Sequence, residues 1–98
     1  MASFVRIGVI GIGNMGSEHC QGLVAGACPE LRLTAVADLR ESRREWARKT
    51  LPPEVAIHES GSDLIRAGEC DAVLVAAPHY QHEALSVEAM EKIGRAHV

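Results

Sequence analysis

The sequence predicts an α/β domain: a doubly wound parallel sheet of four strands alternating with helices. Three observations carry this. Short apolar runs alternate with longer segments rich in helix formers, which is the order of a sheet with helices on both faces. The apolar runs are continuous, as strands buried on both faces require. A glycine-rich hexapeptide links the first run directly to the first helical segment.

Taken in order, Val5–Ile10 (V-R-I-G-V-I) is β-branched and bounded by glycine, and it is the first predicted strand. A helix follows over Met15–Ala25 and ends before Pro29. Leu31–Ala37 (L-R-L-T-A-V-A) is the second strand, and Glu41–Leu51 is a helix stopped by Pro52 and Pro53. Val55–His58 is a short strand, Asp63–Ala67 a short helix closed by Gly68, and Ala72–Ala76 (A-V-L-V-A) the next strand. Glu83–Lys92 supplies a last helical segment.

Composition narrows the function classes. The chain has 98 residues, 47% apolar and 23% charged, which is ordinary globular usage for one small domain. Aromatics are only 3%, so the core must be built from Ala, Val, Ile and Leu. Ten Lys+Arg against 13 Asp+Glu give a net charge of −3, which argues against nucleic acid as a partner. No run approaches the roughly 18 apolar residues of a membrane span, and no leader pattern precedes Val5. Cys20, Cys28 and Cys70 have no Cys-x-x-Cys spacing; they read as reduced thiols of a cytoplasmic protein, without a metal site.

The hexapeptide Gly11-Ile12-Gly13-Asn14-Met15-Gly16 carries the chemistry. In a strand–G-x-G-x-x-G–helix unit, the first glycine makes the tight turn. The second lets a pyrophosphate approach the backbone, and the third lets helix and strand pack closely. The helix N-terminus then offers N–H groups and partial positive charge to the phosphates. An acid about 20 residues further on completes the pattern, and Asp38 stands there, after the second strand. These residues predict a Rossmann-type dinucleotide site; the bland alternative is a plain turn with Asp38 capping the next helix. A carboxylate at Asp38 suits the adenosine ribose hydroxyls and argues for NAD. Against it, Arg40, Arg43, Arg44, Arg48 and Lys49 are five of the ten basic residues, and could hold the 2′-phosphate of NADP. Glu41 and Glu45 interleave with them, so this segment also reads as a solvated helix face with its arginines mostly at the surface.

The glycine loop with Ser17-Glu18-His19, taken with Asp71-Ala72-Val73-Leu74-Val75-Ala76-Ala77-Pro78-His79-Tyr80-Gln81-His82, resembles the N-terminal domain of the glucose-fructose oxidoreductase, inositol dehydrogenase and rhizopine-catabolism family. That family's strand reads D-x-V-x-I-A-T-P-N-x-x-H. Asp71, Val73, Val75, Ala76, Pro78 and His82 match it, while Ala77 replaces Thr and His79 replaces Asn. The resemblance implies an NAD(P)-dependent oxidoreductase acting on a sugar, inositol or related polyol, homo-oligomeric when full length. It places Ala77, Pro78, His79 and His82 beside the cofactor, with Pro78 fixing a turn there; helix capping is the alternative for the two histidines. His19 reads as a packed or capping histidine and His58 as structural.

The family's catalytic lysine, in a Glu-Lys-Pro motif, and its substrate domain have no counterpart, so residues 1–92 are expected to be an incomplete dinucleotide-binding domain without catalytic residues. Residues 93–98 (I-G-R-A-H-V) match what a common sequencing adapter encodes, and are expected to be a non-native tail; a variant of the family's G-K-H-V strand entry is the competing reading. Two other classes share the glycine loop: a non-catalytic dinucleotide-sensing regulator and an S-adenosylmethionine-dependent methyltransferase. The Ala-Pro-His-x-x-His segment disfavours the latter.

Overall fold

The computed structural model describes residues 4–76. Their elements run β1 (Val5–Ile10), α1 (Asn14–Val24), β2 (Leu31–Ala37), α2 (Glu41–Thr50), β3 (Ala56–His58), α3 (Gly61–Arg66) and β4 (Ala72–Val75). Within the described residues these strands form one parallel sheet in the order β3-β2-β1-β4. The chain steps outward from β1 through β2 to β3, then crosses back to lay β4 on the other side of β1. That reversal creates a crevice at the carboxyl ends of β1 and β4, the place where open α/β sheets bind ligands. The last expected helix and residues 77–98 lie outside the described residues.

Two apolar clusters sandwich the sheet. On one face Val9, Ile12, Leu33 and Val36 pack with Cys20 of α1 and Ala47 of α2; on the other Ile10, Ala35, Ala37, Val73 and Val75 pack with Leu64 and Ile65 of α3. The side-chain period of a strand is two, so Leu33, Ala35 and Ala37 would share a face in a regular β2. They do not, because the register with β1 slips between Ile7 and Gly8 and Thr34 becomes an extra residue. This bulge flips the parity and brings Leu33 and Val36 to the α1/α2 side. Thr34 Oγ1 donates to the Glu69 carbonyl oxygen at 2.8 Å, which ties the bulge to the β4 entry.

Helix α3 begins earlier than the sequence suggested, at Gly61, with Ser60 as its N-cap. The Ser60 hydroxyl accepts from the Asp63 N–H at 3.1 Å, the capping arrangement that stabilises an exposed first turn. No helix among the described residues is long and apolar enough to cross a membrane.

Candidate cofactor site

The glycine loop begins with a residue only glycine tolerates well: Gly11 has φ +91°. Its N–H donates to the Ala37 carbonyl oxygen at 2.7 Å, so the turn starts from the end of β2. Gly13 is the N-cap of α1 and no side chain caps that helix or places an acid in its first turn. The dipole end is therefore open to an external anion. Gly16 is buried against the turn itself. A Cβ there would lie 1.8 Å from the Gly11 carbonyl oxygen, whereas one on Gly13 would meet only the Nη2 of Arg40, at 3.2 Å. The third glycine is thus spent on helix–strand packing and the second on leaving space, as a pyrophosphate cradle requires.

Ile12 is turned inward. Its side chain is fully buried, its N–H donates to Asp38 Oδ2 at 3.0 Å, and its carbonyl accepts from Arg43 Nε at 2.7 Å. Ile12 is the anchor that fastens the loop to the residues after β2. Asn14 is exposed at the first turn of α1, and Met15 beside it is 69% exposed.

Asp38 is the only buried polar or charged residue among the described residues. Its Oδ1 accepts from the Arg40 N–H at 2.9 Å and from Arg40 Nε at 3.0 Å. Its Oδ2 accepts from Ile12 and from Arg40 Nη2, at 3.0 Å each. Burial alone pushes this carboxyl up. The Arg40 side-chain and backbone bonds, the Ile12 N–H and the charge of Arg40 outweigh it and hold it below the ordinary carboxylate value. The bond to the N–H two residues on is an Asx-type turn; Asp38 does not cap α2, whose N-cap is Arg40.

The basic residues lie at the surface in the main, with Arg40, Arg48 and Lys49 exposed and Arg43 and Arg44 half-buried, but three of the arginines also hold partners in the site. Arg40 grips Asp38; Arg43 bonds the glycine loop and lies 5.2 Å over the Trp46 ring. Arg44, with a side chain only 14% exposed, donates to the carbonyls of Asp38 and Leu39 at 2.9 and 3.0 Å. These carbonyls and that of Ile12 attract the guanidinium groups inward. Arg48 and Lys49 keep to the solvated face, paired with Glu41 and Glu45, and Arg44 also pairs with Glu41. His19 is also not packed or capping: it is exposed in mid-helix. His58 is held by Glu69 at 2.7 Å, a structural contact. Ala77, Pro78, His79 and His82 lie outside the described residues, but Ala76 N–H bonds the Ile10 carbonyl at 2.8 Å, so the chain enters that segment at the crevice.

Strand, glycine turn and helix at a topological switch point, with a buried acid at the end of the neighbouring strand, define a dinucleotide-binding domain of the Rossmann class. The comparison with known families is specific. The chain belongs to the GFO_IDH_MocA oxidoreductase family, whose NAD-binding Rossmann fold is matched over residues 5–98. It is 38% identical over 87 residues to inositol 2-dehydrogenase 1 of Saccharopolyspora erythraea, covering 89% of this chain and 26% of that protein. Among solved structures it is similar to a myo-inositol dehydrogenase from Lactobacillus casei in complex with NAD(H) and myo-inositol (TM-score 0.79, 27% identity, 90% of this chain and 26% of that one). A scyllo-inositol dehydrogenase from the same organism, with NAD(H) and scyllo-inositol bound, has the same fold (TM-score 0.86, 23% identity, 96% and 27%). The chain therefore spans about a quarter of the length of the relatives it matches.

Proposed function

We propose that this chain supplies the cofactor-binding part of an NAD(P)-dependent oxidoreductase acting on inositol or a related polyol or sugar. The observation that carries the reading is the division of labour within the glycine loop: Gly11 at φ +91°, Gly16 seated on the Gly11 carbonyl, and Gly13 open. In this reading Gly11 to Gly16 receive the pyrophosphate on backbone N–H groups, and Met15 and Asn14 border it. Asp38 receives the adenosine ribose, which favours NAD. Ala77, Pro78, His79 and His82 form the wall beside the nicotinamide ribose, as the family resemblance implies. A nicotinamide cofactor held there would supply the hydride acceptor. This chain's share of the work is to bind and orient the cofactor; proton transfer from the hydroxyl needs a base from the rest of the longer protein.

The inositol dehydrogenases among the relatives support an enzyme over a dinucleotide-sensing regulator. The three free cysteines suit a reducing, cytoplasmic compartment. The charge of −3 suits a small-molecule partner better than nucleic acid. A homo-oligomeric full-length protein rests on the family resemblance alone. The test is an equilibrium titration of the 98-residue chain with NADH and NADPH by fluorescence. Gly13→Val, which places a branched side chain where the pyrophosphate approaches, should weaken both by at least tenfold. Undiminished affinity in that variant would overturn the assignment.

A further inference from the structure

The four bonds to Asp38 account for its whole accepting capacity. A carboxylate has about four lone-pair positions; two are taken by the backbone N–H groups of Ile12 and Arg40, and the other two by Nε and Nη2 of the Arg40 side chain. The backbone donors are fixed by the loop. The guanidinium is not: the Arg40 side chain is 60% exposed while Asp38 beneath it is 6% exposed. Two parallel donors on the outward side of a carboxylate are also what a vicinal ribose diol presents. A ribose can reach Asp38 only by taking the positions that Arg40 Nε and Nη2 now fill.

The consequences for a 2′-phosphate are opposite. A guanidinium has five N–H donors in a rigid fork, and the Asp38 pair uses one on Nε and one on Nη2. The remaining edge, Nη1 with the second Nη2 hydrogen, can take two phosphate oxygens without breaking the pair. The pair also neutralises the carboxylate charge that would otherwise repel a phosphate. Arg40 stands next to the open position over Gly13, so both groups would meet it beside the pyrophosphate site.

Resting on the reading of Asp38 as the ribose acceptor, we infer that Arg40 is a specificity-determining latch: NAD must displace its guanidinium from Asp38, whereas the 2′-phosphate of NADP binds it in place. Arg40 narrows the preference for NAD that Asp38 alone would impose. Arg40→Leu removes the latch and keeps the backbone N–H that Asp38 needs.

The experiment titrates the 98-residue chain and its Arg40→Leu, Arg40→Lys and Gly13→Val variants with ADP-ribose and with 2′-phospho-ADP-ribose, by calorimetry. In Arg40→Leu the first should bind about two- to fivefold tighter, the scale of a partly exposed ion pair. The second should bind about tenfold weaker, because a charge-assisted pair to phosphate is lost. Arg40→Lys keeps the charge without the fork, and should restore only part of the phosphate affinity. A selectivity ratio within twofold of the unaltered chain, or a parallel loss for both ligands, would overturn the latch. The Arg40 Nε–Hε signal in ¹⁵N NMR of the unaltered chain gives a second readout that needs no folded variant. It should shift and lose protection with ADP-ribose and stay protected with the 2′-phospho form; equal behaviour with both would also overturn the latch. Failure of the underlying site reading looks different: no binding of either ligand, or no effect of Gly13→Val, rejects the glycine-loop assignment and the latch with it.

Discussion

The two corners that meet at Ile12 are built in opposite ways. The glycine loop between β1 and α1 works by what is missing: no Cβ on Gly16, where helix meets turn, and none on Gly13, where a phosphate can enter. The corner between β2 and α2 works by side chains, with Asp38, Arg40, Arg43 and Arg44 satisfying one another and the carbonyls of Ile12, Asp38 and Leu39. One corner is rigid because nothing can be added at Gly16. The other is held by bonds, part of them on the surface, as the exposed Arg40 side chain on the buried Asp38 shows. A dinucleotide site needs both properties: a fixed cradle for the pyrophosphate that every such cofactor carries, and an adjustable contact for the ribose, where cofactors differ.

The comparison breaks most visibly at Gly16. Alanine for glycine inside a helix ordinarily stabilises by about 1 kcal/mol. Here the added methyl would sit 1.8 Å from a backbone carbonyl oxygen, so α1 must lift off the turn or the turn must open. Overpacking commonly costs about 1–3 kcal/mol, and a contact with backbone on both sides belongs at or above that range. Gly16→Ala should therefore lower the urea midpoint sharply, or leave the chain unfolded by circular dichroism, since a domain of this size has little stability to lose. An unchanged midpoint would mean that the turn is softer than its geometry indicates.

A smaller effect is expected from the polar corner, and it depends on pH. The Asp38 carboxyl is held below its ordinary value chiefly because Arg40 and Ile12 outweigh burial. With a folded-state pKa below the unfolded one, its contribution is fully present above the unfolded value, near 4, and is lost as pH falls through the folded value. The groups facing it are cationic or N–H donors: the side chain and N–H of Arg40 and the N–H of Ile12, with Arg44 on its own carbonyl. Asp38→Asn cannot titrate. Stability measured between pH 5 and 2.5 should fall less steeply in the variant, by at most one proton, or about 1.4 kcal/mol per pH unit. Parallel acid limbs would show that the pair contributes nothing to folding.

The two corners also differ in how legible they were. The bounds Val5–Ile10 and Leu31–Ala37 came from the sequence unaltered, because each is a short apolar run set off by a turn-former, Gly11 after the first and Pro29 shortly before the second. The glycine spacing revealed the loop, since Gly11 and Gly16 answer steric demands that glycine alone meets. Helix α3 starts two residues before the expected Asp63; the Ser60…Asp63 spacing was the signal that pointed to the true start. The Thr34 bulge had no sequence signature, as its reason is a parity mismatch between two faces of one strand. Arg43 and Arg44 were half legible for a different reason. Their interleaving with Glu41 and Glu45 fits a solvated helix face, and only folding brings the Ile12 and Asp38 carbonyls within reach of Arg43 and Arg44. Long flexible side chains take their partners from tertiary structure, and local spacing does not encode those partners.

The sharpest form of the contrast lies inside the glycine loop, three residues from Gly16. Gly13 has φ −72° and ψ −151°, extended backbone of negative φ that does not by itself demand glycine. Its added methyl would meet only Arg40 Nη2, at 3.2 Å, the far end of an exposed chain that can move by a few tenths of an ångström. Two modest terms then oppose each other. Replacing glycine lowers the entropy of the unfolded chain and stabilises by about 0.4–1 kcal/mol, while alanine is a poorer N-cap than glycine and gives back a similar amount. Gly13→Ala should leave the urea midpoint nearly unchanged, within about 0.5 kcal/mol of stability, yet weaken NADH binding, because the methyl stands where the pyrophosphate must come closest. A methyl group at Gly16 should thus cost the fold and one at Gly13 only the ligand. A large drop in stability at Gly13 with the fold otherwise intact would mean that this glycine, too, is spent on packing, and the division between cradle and scaffold within the loop would be lost.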